Sequence, residues 1–232
     1  MTISSASHRY DKPKAFSPCL LLLLPYELRH QIYNASLTAS HPIDPHNKRQ
    51  TSFSPSLLAT CKQIHDEATP VLYRENEFIL RNILRDTQWL DEIGGRNASI
   101  LKRVQFFVDE GPIIMTEFGG VVNDGHEQRL RALLRRLTRD AKGLRYLRVH
   151  LAGLGEKDYE CYKYDEEGYG MQPRWGWGED RQFMLELGRM CGLTELVIDG
   201  AFETTWMGYL RKQMGDEVKV LHNMYVNGDG SE

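Results

Sequence analysis

With 232 residues and 41% hydrophobic content, the chain can bury a core as one compact domain, or as one domain with a small N-terminal module. A formal net charge of -3 excludes a global attraction to nucleic acid or to an anionic membrane. The four cysteines, Cys19, Cys61, Cys161 and Cys191, are scattered without CxxC or CxH spacing, which argues against a zinc ribbon and a secreted disulfide framework.

Residues Met1 to Pro18, rich in Ser, Lys and Pro, read as a disordered leader. The run Leu20 to Leu24 is too short for a signal-peptide core and far below the roughly 20 residues a membrane span needs, so the chain reads as intracellular, cytoplasmic or nuclear. The sequons at Asn34 and Asn97 then carry no glycosylation meaning. Leu24 and Pro25 lead into an amphipathic helix. Pro25 suits its first turn, and Glu27 lies near the positive end of the helix dipole. Leu24, Leu28, Ile32 and Ala35 follow helical spacing, with Tyr33 and Leu37 widening the stripe, so this is a docking or core helix without a catalytic group.

Thr38 to Pro55 reads as a polar, proline-punctuated loop. Ser54 and Pro55 look like the start of a second helix, on which Leu57, Leu58, Cys61, Ile64 and Ala68 recur at helical intervals. Pro70 is expected to break or kink it, leaving Val71, Leu72 and Tyr73 as a last apolar turn.

Together these two segments resemble the fungal F-box-like proteins, in which an LPxELRxxIY helix is followed by an LLxxCxQIxxEAxxxLYxxNxF segment. Leu24, Pro25, Glu27, Leu28, Arg29, Ile32 and Tyr33 match the first half. Leu57, Leu58, Cys61, Gln63, Ile64, Glu67, Ala68, Leu72, Tyr73, Asn76 and Phe78 match the second. The resemblance covers about a quarter of the chain. It implies docking on the Skp-type adaptor of a cullin ubiquitin ligase, with Leu24, Pro25, Leu28, Ile32, Leu57, Leu58 and Ile64 as the docking residues. It is equally compatible with a helical cap that only packs on the remainder.

Beyond Asn76 the period changes. Glu77 to Ile83 reads as a strand and Thr87 to Ile93 as a helix ended by Gly94 and Gly95. An LxxLxL-like spacing then occurs three times, as Leu101, Val104 and Phe106, as Leu144, Leu147 and Val149, and as Leu193, Leu196 and Ile198. Val218 opens a plausible last strand. Helical stretches from Glu127 to Lys142, Glu179 to Cys191 and Thr204 to Met214 lie between. Alternation of strand and helix predicts an α/β fold, in which the helical cap (19–76) is followed by leucine-rich-repeat-like parallel strands with covering helices (77–232). The spacing, roughly 25 to 50 residues, makes the repeats irregular.

Candidate chemistry is sparse. The helix from Glu127 carries Arg129, Arg131, Arg135, Arg136 and Arg139 around an apolar face, a ridge for phosphates or, more simply, a solvated face. Cys61 and His65 stand four apart and could meet as thiol and base, but Cys61 belongs to the apolar spacing of its segment. The segment from Gly153 to Asp180 concentrates Tyr159, Tyr162, Tyr164, Tyr169, Trp175 and Trp177 among acidic residues. Rigid aromatics in a polar setting suit recognition of a protein target, and equally a loop that folds back over a sheet face with the aromatics as its local core; the acidic run disfavours nucleic acid. Nothing resembles an active site, and no cofactor, metal or membrane is implied. The reading is a non-enzymatic protein-interaction module with an unknown protein target. Its alternative is a stand-alone binding scaffold capped by the F-box-like segment.

Overall fold

The computed structural model describes residues 19–47, 53–108, 114–115, 121–122, 126–151, 181–200 and 205–223. The expected leader and the whole Tyr159 to Trp177 aromatic segment lie outside the described residues.

The N-terminal cap holds two helices, α1 (Tyr26–Leu37) and α2 (Lys62–Glu75). A 3-10 helix, Leu20–Leu23, precedes α1, and Pro25 stands at its N-cap instead of inside its first turn, its carbonyl accepting from Leu28 and Arg29. The second predicted helix is in fact two pieces. Pro55–Ala59 forms a 3-10 turn, Cys61 is extended (φ -161°, ψ 165°), and α2 then runs unbroken through Pro70. The break therefore falls at Cys61 and not at the proline. Buried residues on both sides of Pro70, from Ile64 to Leu72, keep α2 packed, so tertiary contact outweighs the lost backbone hydrogen bond.

The larger part alternates strand and helix as expected. Strand β1 (Glu77–Leu80) leads to α3 (Ile83–Ala98), whose N-cap Asn82 accepts a hydrogen bond from the Arg85 N–H. Gly94, at φ +73°, breaks the regular helix where the paired glycines predicted its end. Strand β2 (Arg103–Val108) follows, then a small antiparallel pair, β3 (Ile114–Met115) with β4 (Val121–Val122), which the sequence pattern did not suggest. Helix α4 (His126–Asp140), β5 (Tyr146–Leu151), α5 (Arg181–Gly188), β6 (Glu195–Asp199), α6 (Thr205–Met214) and β7 (Lys219–Asn223) complete the described order.

The five longer strands form one parallel sheet in the order β1-β2-β5-β6-β7. Each new strand is added on the same side of the last, so right-handed crossovers place every connecting helix on one face. The buried core agrees: Trp89, Leu90, Leu133, Leu134, Phe183, Leu187 and Leu210 from α3 to α6 share one cluster with alternate strand residues. In register, Val104, Leu147, Leu196 and Val220 form one row beneath those helices, and Phe106, Val149 and Ile198 the next. Each fully buried side chain of this size contributes about 1.5–3 kcal/mol.

The LxxLxL spacing therefore marks a stacked unit, with one correction. Leu101, Leu144 and Leu193 do not lie on strands but in the turns before them, where they are buried under the helices. Those turns also stack. Arg145 and Tyr146 donate their N–H groups to the Lys102 carbonyl, Thr194 and Glu195 donate to Arg145, and Lys219 donates to Thr194.

The cap joins the β1 end of the sheet. Ile43 pairs with β1, donating to Glu77 and accepting from Ile79 at 2.7 and 2.8 Å. Tyr73, Phe78 and Trp89 form a continuous ring cluster there, with centroids 5.8 and 5.2 Å apart. Asn76 completes the joint: its amide donates to the Leu37 and Leu72 carbonyls and accepts from the Ala39 N–H. Buried and bonded through both amide atoms, it satisfies one C-terminal carbonyl of each helix.

At the end of β6, Gly200 adopts φ +110°, and a β-carbon there would meet the Leu151 carbonyl oxygen at 2.1 Å. Gly200→Ala should lower unfolding free energy by more than about 1 kcal/mol, read by chemical denaturation, because strain and a backbone clash act together.

Candidate functional site

The cap carries an unusual buried line. On α1 the buried residues are Arg29, Tyr33 and Leu37, spaced by four, so the line that faces α2 begins with a charge. Arg29 is tolerated there because Glu67 of α2 meets it with both carboxylate oxygens. Nε donates to Oε2 at 2.8 Å and Nη2 to Oε1 at 2.7 Å, while Nη1 donates to the Leu24 carbonyl at 2.6 Å. Tyr33 Oη and Gln63 Nε2 donate to the same carboxylate, each at 2.9 Å. Around this clamp pack Leu37, Ile64, Ala68 and Val71, flanked by Leu21, Leu22, Leu57, Leu58 and Cys61.

The predicted stripe of α1 sits one residue, about 100°, round the helix from this buried line. Leu28 is 45% exposed and Ile32 37%, and the preceding turn adds Leu20 at 75% and Leu23 at 69%. The face is thus presented and not buried. Leu24 is half-buried and Pro25 exposed, Leu57 and Leu58 are half-buried against the helices, and Ile64 lies inside the clamp's core. Of the seven residues expected to dock a partner, Leu28 and Ile32 are the large side chains turned to the surface. Cys61 and His65 serve the turn between the two pieces, the His65 ring Nδ1 lying 3.0 Å from the Leu58 carbonyl.

The second candidate surface is the sheet face opposite the helices, where alternate residues of each strand point. Its first row runs Glu77, Arg103, Tyr146, Glu195 and Lys219, its second Ile79, Gln105, Arg148, Val197 and Leu221, and its third Phe107, His150, Asp199 and Asn223. Arg103 lies over the Tyr146 ring at 4.8 Å and Lys219 pairs with Glu195 at 3.2 Å.

The third row is the most tightly bonded. Asp199, 1% exposed, accepts from Arg148 Nε at 2.6 Å and lies 3.0 Å from His150 Nδ1, both through Oδ2, while Asn223 Nδ2 donates to Oδ1 at 2.8 Å. The Phe107 and His150 rings stack at 4.1 Å and 9°, and the Arg81 guanidinium lies 4.4 Å over Phe107. Burial alone would raise the Asp199 carboxyl, but Arg148 and Asn223 hold it below its ordinary value. A buried, charged carboxylate with three partners is a stable anchor. Sequence reading missed this group; the signal was Arg148 and His150 alternating with Leu147, Val149 and Leu151.

Helix α4 behaves as a solvated face. Arg135 bonds the buried Glu186 at 2.8 Å, Arg136 pairs with Asp91 and Asp140, and Arg139 with Asp140. Among the described residues no group of three or more His, Cys, Asp and Glu could hold a metal ion, and no helix is long and apolar enough to cross a membrane.

The Arg29 hydrogen bond, with those from Gln63 and Tyr33, lowers the Glu67 carboxyl from 4.5 to about 2. A carboxyl depressed in the folded state adds stability above its unfolded value and loses it as pH falls through the folded one. Thermal melts should therefore show cap stability declining from about pH 4.5 toward about pH 2, and Glu67→Gln should flatten that decline while lowering the neutral-pH midpoint. No protein-family model matches this chain, and no curated protein or solved structure matches it either.

Proposed function

We propose that the chain is a non-enzymatic protein-interaction module. The exposed face of α1 docks one partner, and the sheet face opposite the helices meets a protein target. The observation that carries this reading is the exposure of Leu28 and Ile32 on α1, beside a helix line already satisfied by Glu67, with Leu20 and Leu23 exposed on the preceding 3-10 helix. Large apolar side chains clustered on one helix face and kept out of a core are characteristic of interaction sites. The resemblance of this segment to F-box-like proteins supplies the partner class, a Skp-type adaptor of a cullin ubiquitin ligase, and with it the role of substrate adaptor.

A second reading has its own support. Arg29, Tyr33, Gln63, Glu67 and Asn76, all positions of the double motif, bond to one another or to helix ends. Those residues hold the cap together, and Ile43 and Tyr73 join it to Phe78 of the sheet, which supports a stand-alone binding scaffold with no adaptor required.

The two readings part on Leu28→Asp. An exposed position should tolerate the change with a melting temperature close to wild type. Affinity purification of the wild-type chain should recover a Skp-type adaptor, and the variant should lose it, since truncating an interface anchor alone costs about 2 kcal/mol or more. Failure of the wild-type chain to recover any adaptor would favour the capped scaffold.

A further inference from the structure

On the sheet face opposite the helices, one side chain from each of the five parallel strands joins a single line. Gln105 Nε2 lies 2.8 Å from Glu77 Oε1, and His150 Nε2 lies 3.2 Å from Gln105 Oε1. His150 Nδ1 lies 3.0 Å from Asp199 Oδ2, and Asn223 Nδ2 donates to Asp199 Oδ1 at 2.8 Å. The line thus runs from β1 through β2, β5 and β6 to β7.

The protons in this line can be counted. The links Glu77–Gln105, Gln105–His150 and His150–Asp199 begin and end on carboxylates, which only accept. A primary amide donates from one side and accepts on the other, so Gln105 passes the requirement on unchanged. All three links are hydrogen bonds only if the imidazole donates from both nitrogens. With a neutral ring protonated on Nδ1, the bare Nε2 meets the Gln105 oxygen. Turning the amide over repairs that link but sets its oxygen against Glu77. Moving the ring proton to Nε2 leaves the bare Nδ1 against Asp199. One link lacks a proton in every case, so the count is independent of how the amide or tautomer is assigned.

We propose that proton uptake by His150 is a switch that closes this hydrogen-bonded chain across the sheet and fixes the Gln105 amide. Among the described residues, four charged groups around the ring bear on where it acts. Arg81 reaches over Phe107 from the end of β1, Glu77 comes from β1, Arg148 lies on the same strand and Asp199 on β6. Burial lowers the His150 pKa below 6.5, Arg148 and Arg81 add to this, and Asp199 and Glu77 oppose it. The ring is therefore neutral near pH 7 and the chain open there. It closes at a pH below 6.5, which also adds positive charge to a face that carries Arg81, Arg103 and Arg148. The sign for stability is opposite to that for closure. Because the folded state binds this proton more weakly than the unfolded chain, His150 costs stability as pH falls below 6.5, until the folded pKa is passed. The switch changes the face without strengthening the fold, and it stands or falls separately from the adaptor reading.

Side-chain NMR of the full chain, from about pH 8 down through the acid range in which the fold persists, tests it. The His150 Cε1–H signal should titrate below 6.5, and the Gln105 amide signals should move with the same midpoint. Glu77→Leu frees Gln105 to donate to the neutral ring, so the His150 midpoint should fall by about threefold or more in proton affinity, the low end of one hydrogen bond's contribution. In a Gln105→Leu background that effect should shrink by half or more, whereas a through-space effect of the Glu77 charge would be equal in both. Three results would overturn the switch: Gln105 signals unmoved while His150 titrates, no His150 titration in this range, or an equal Glu77 effect with and without Gln105. Should a variant not fold, the wild-type Gln105 signals decide alone.

Discussion

The bidentate pairing of Arg29 with Glu67 governs how the cap presents itself. A guanidinium turned into a helix interface is costly unless its charge and hydrogen bonds are met, and here the Glu67 carboxylate and the Leu24 carbonyl meet them, with Tyr33 and Gln63 donating to the same carboxylate. Once that pairing sets the rotation of α1, the neighbouring stripe has nowhere to go but outward. A purely apolar interface could have buried Leu28 and Ile32 instead. The clamp thus couples an internal electrostatic requirement to an external apolar face, and links sequence pattern to surface chemistry.

The sheet follows a different constraint. Strictly sequential strand order puts all crossovers on one side, so one face is closed by α3 to α6, while on the opposite face strand side chains bond to one another. Its polar residues bond across strands, and the rows are ordered by register and not by helix packing. In that arrangement the imidazole of His150 touches neighbours on both sides. Asp199 beneath it is buried and charged, which keeps Arg148, His150 and Asn223 in place.

Much of the fold was legible because burial repeats. The spacing that joins Leu144, Leu147 and Val149 requires a turn and a strand beneath a helix, and it recurred clearly enough to predict parallel strands with covering helices. Boundaries were less legible where backbone and side chain disagree. Ser54 and Pro55 announce a helix, but Cys61 is extended and a 3-10 turn intervenes. Pro70 announces a break, but burial on both sides carries α2 through it. The candidate site was half legible. Leu28 and Ile32 could be placed on a helix face, yet periodicity alone cannot say which face is buried when the buried one contains an arginine. The Asp199 group was hidden for a related reason: its members lie far apart in sequence, and only strand register brings them together.

Hydroxyl-radical footprinting of the full chain, alone and with a purified Skp-type adaptor, addresses the central claim that the clamp turns an apolar docking face outward. Oxidation reports side-chain exposure residue by residue. The account predicts fast labelling of Leu20, Leu23, Leu28 and Ile32 in the free chain, slow labelling of Tyr33 and Leu37, and protection of the first group when the adaptor is added. Slow labelling of Leu28 and Ile32 in the free chain, or fast labelling unchanged by the adaptor, would contradict it.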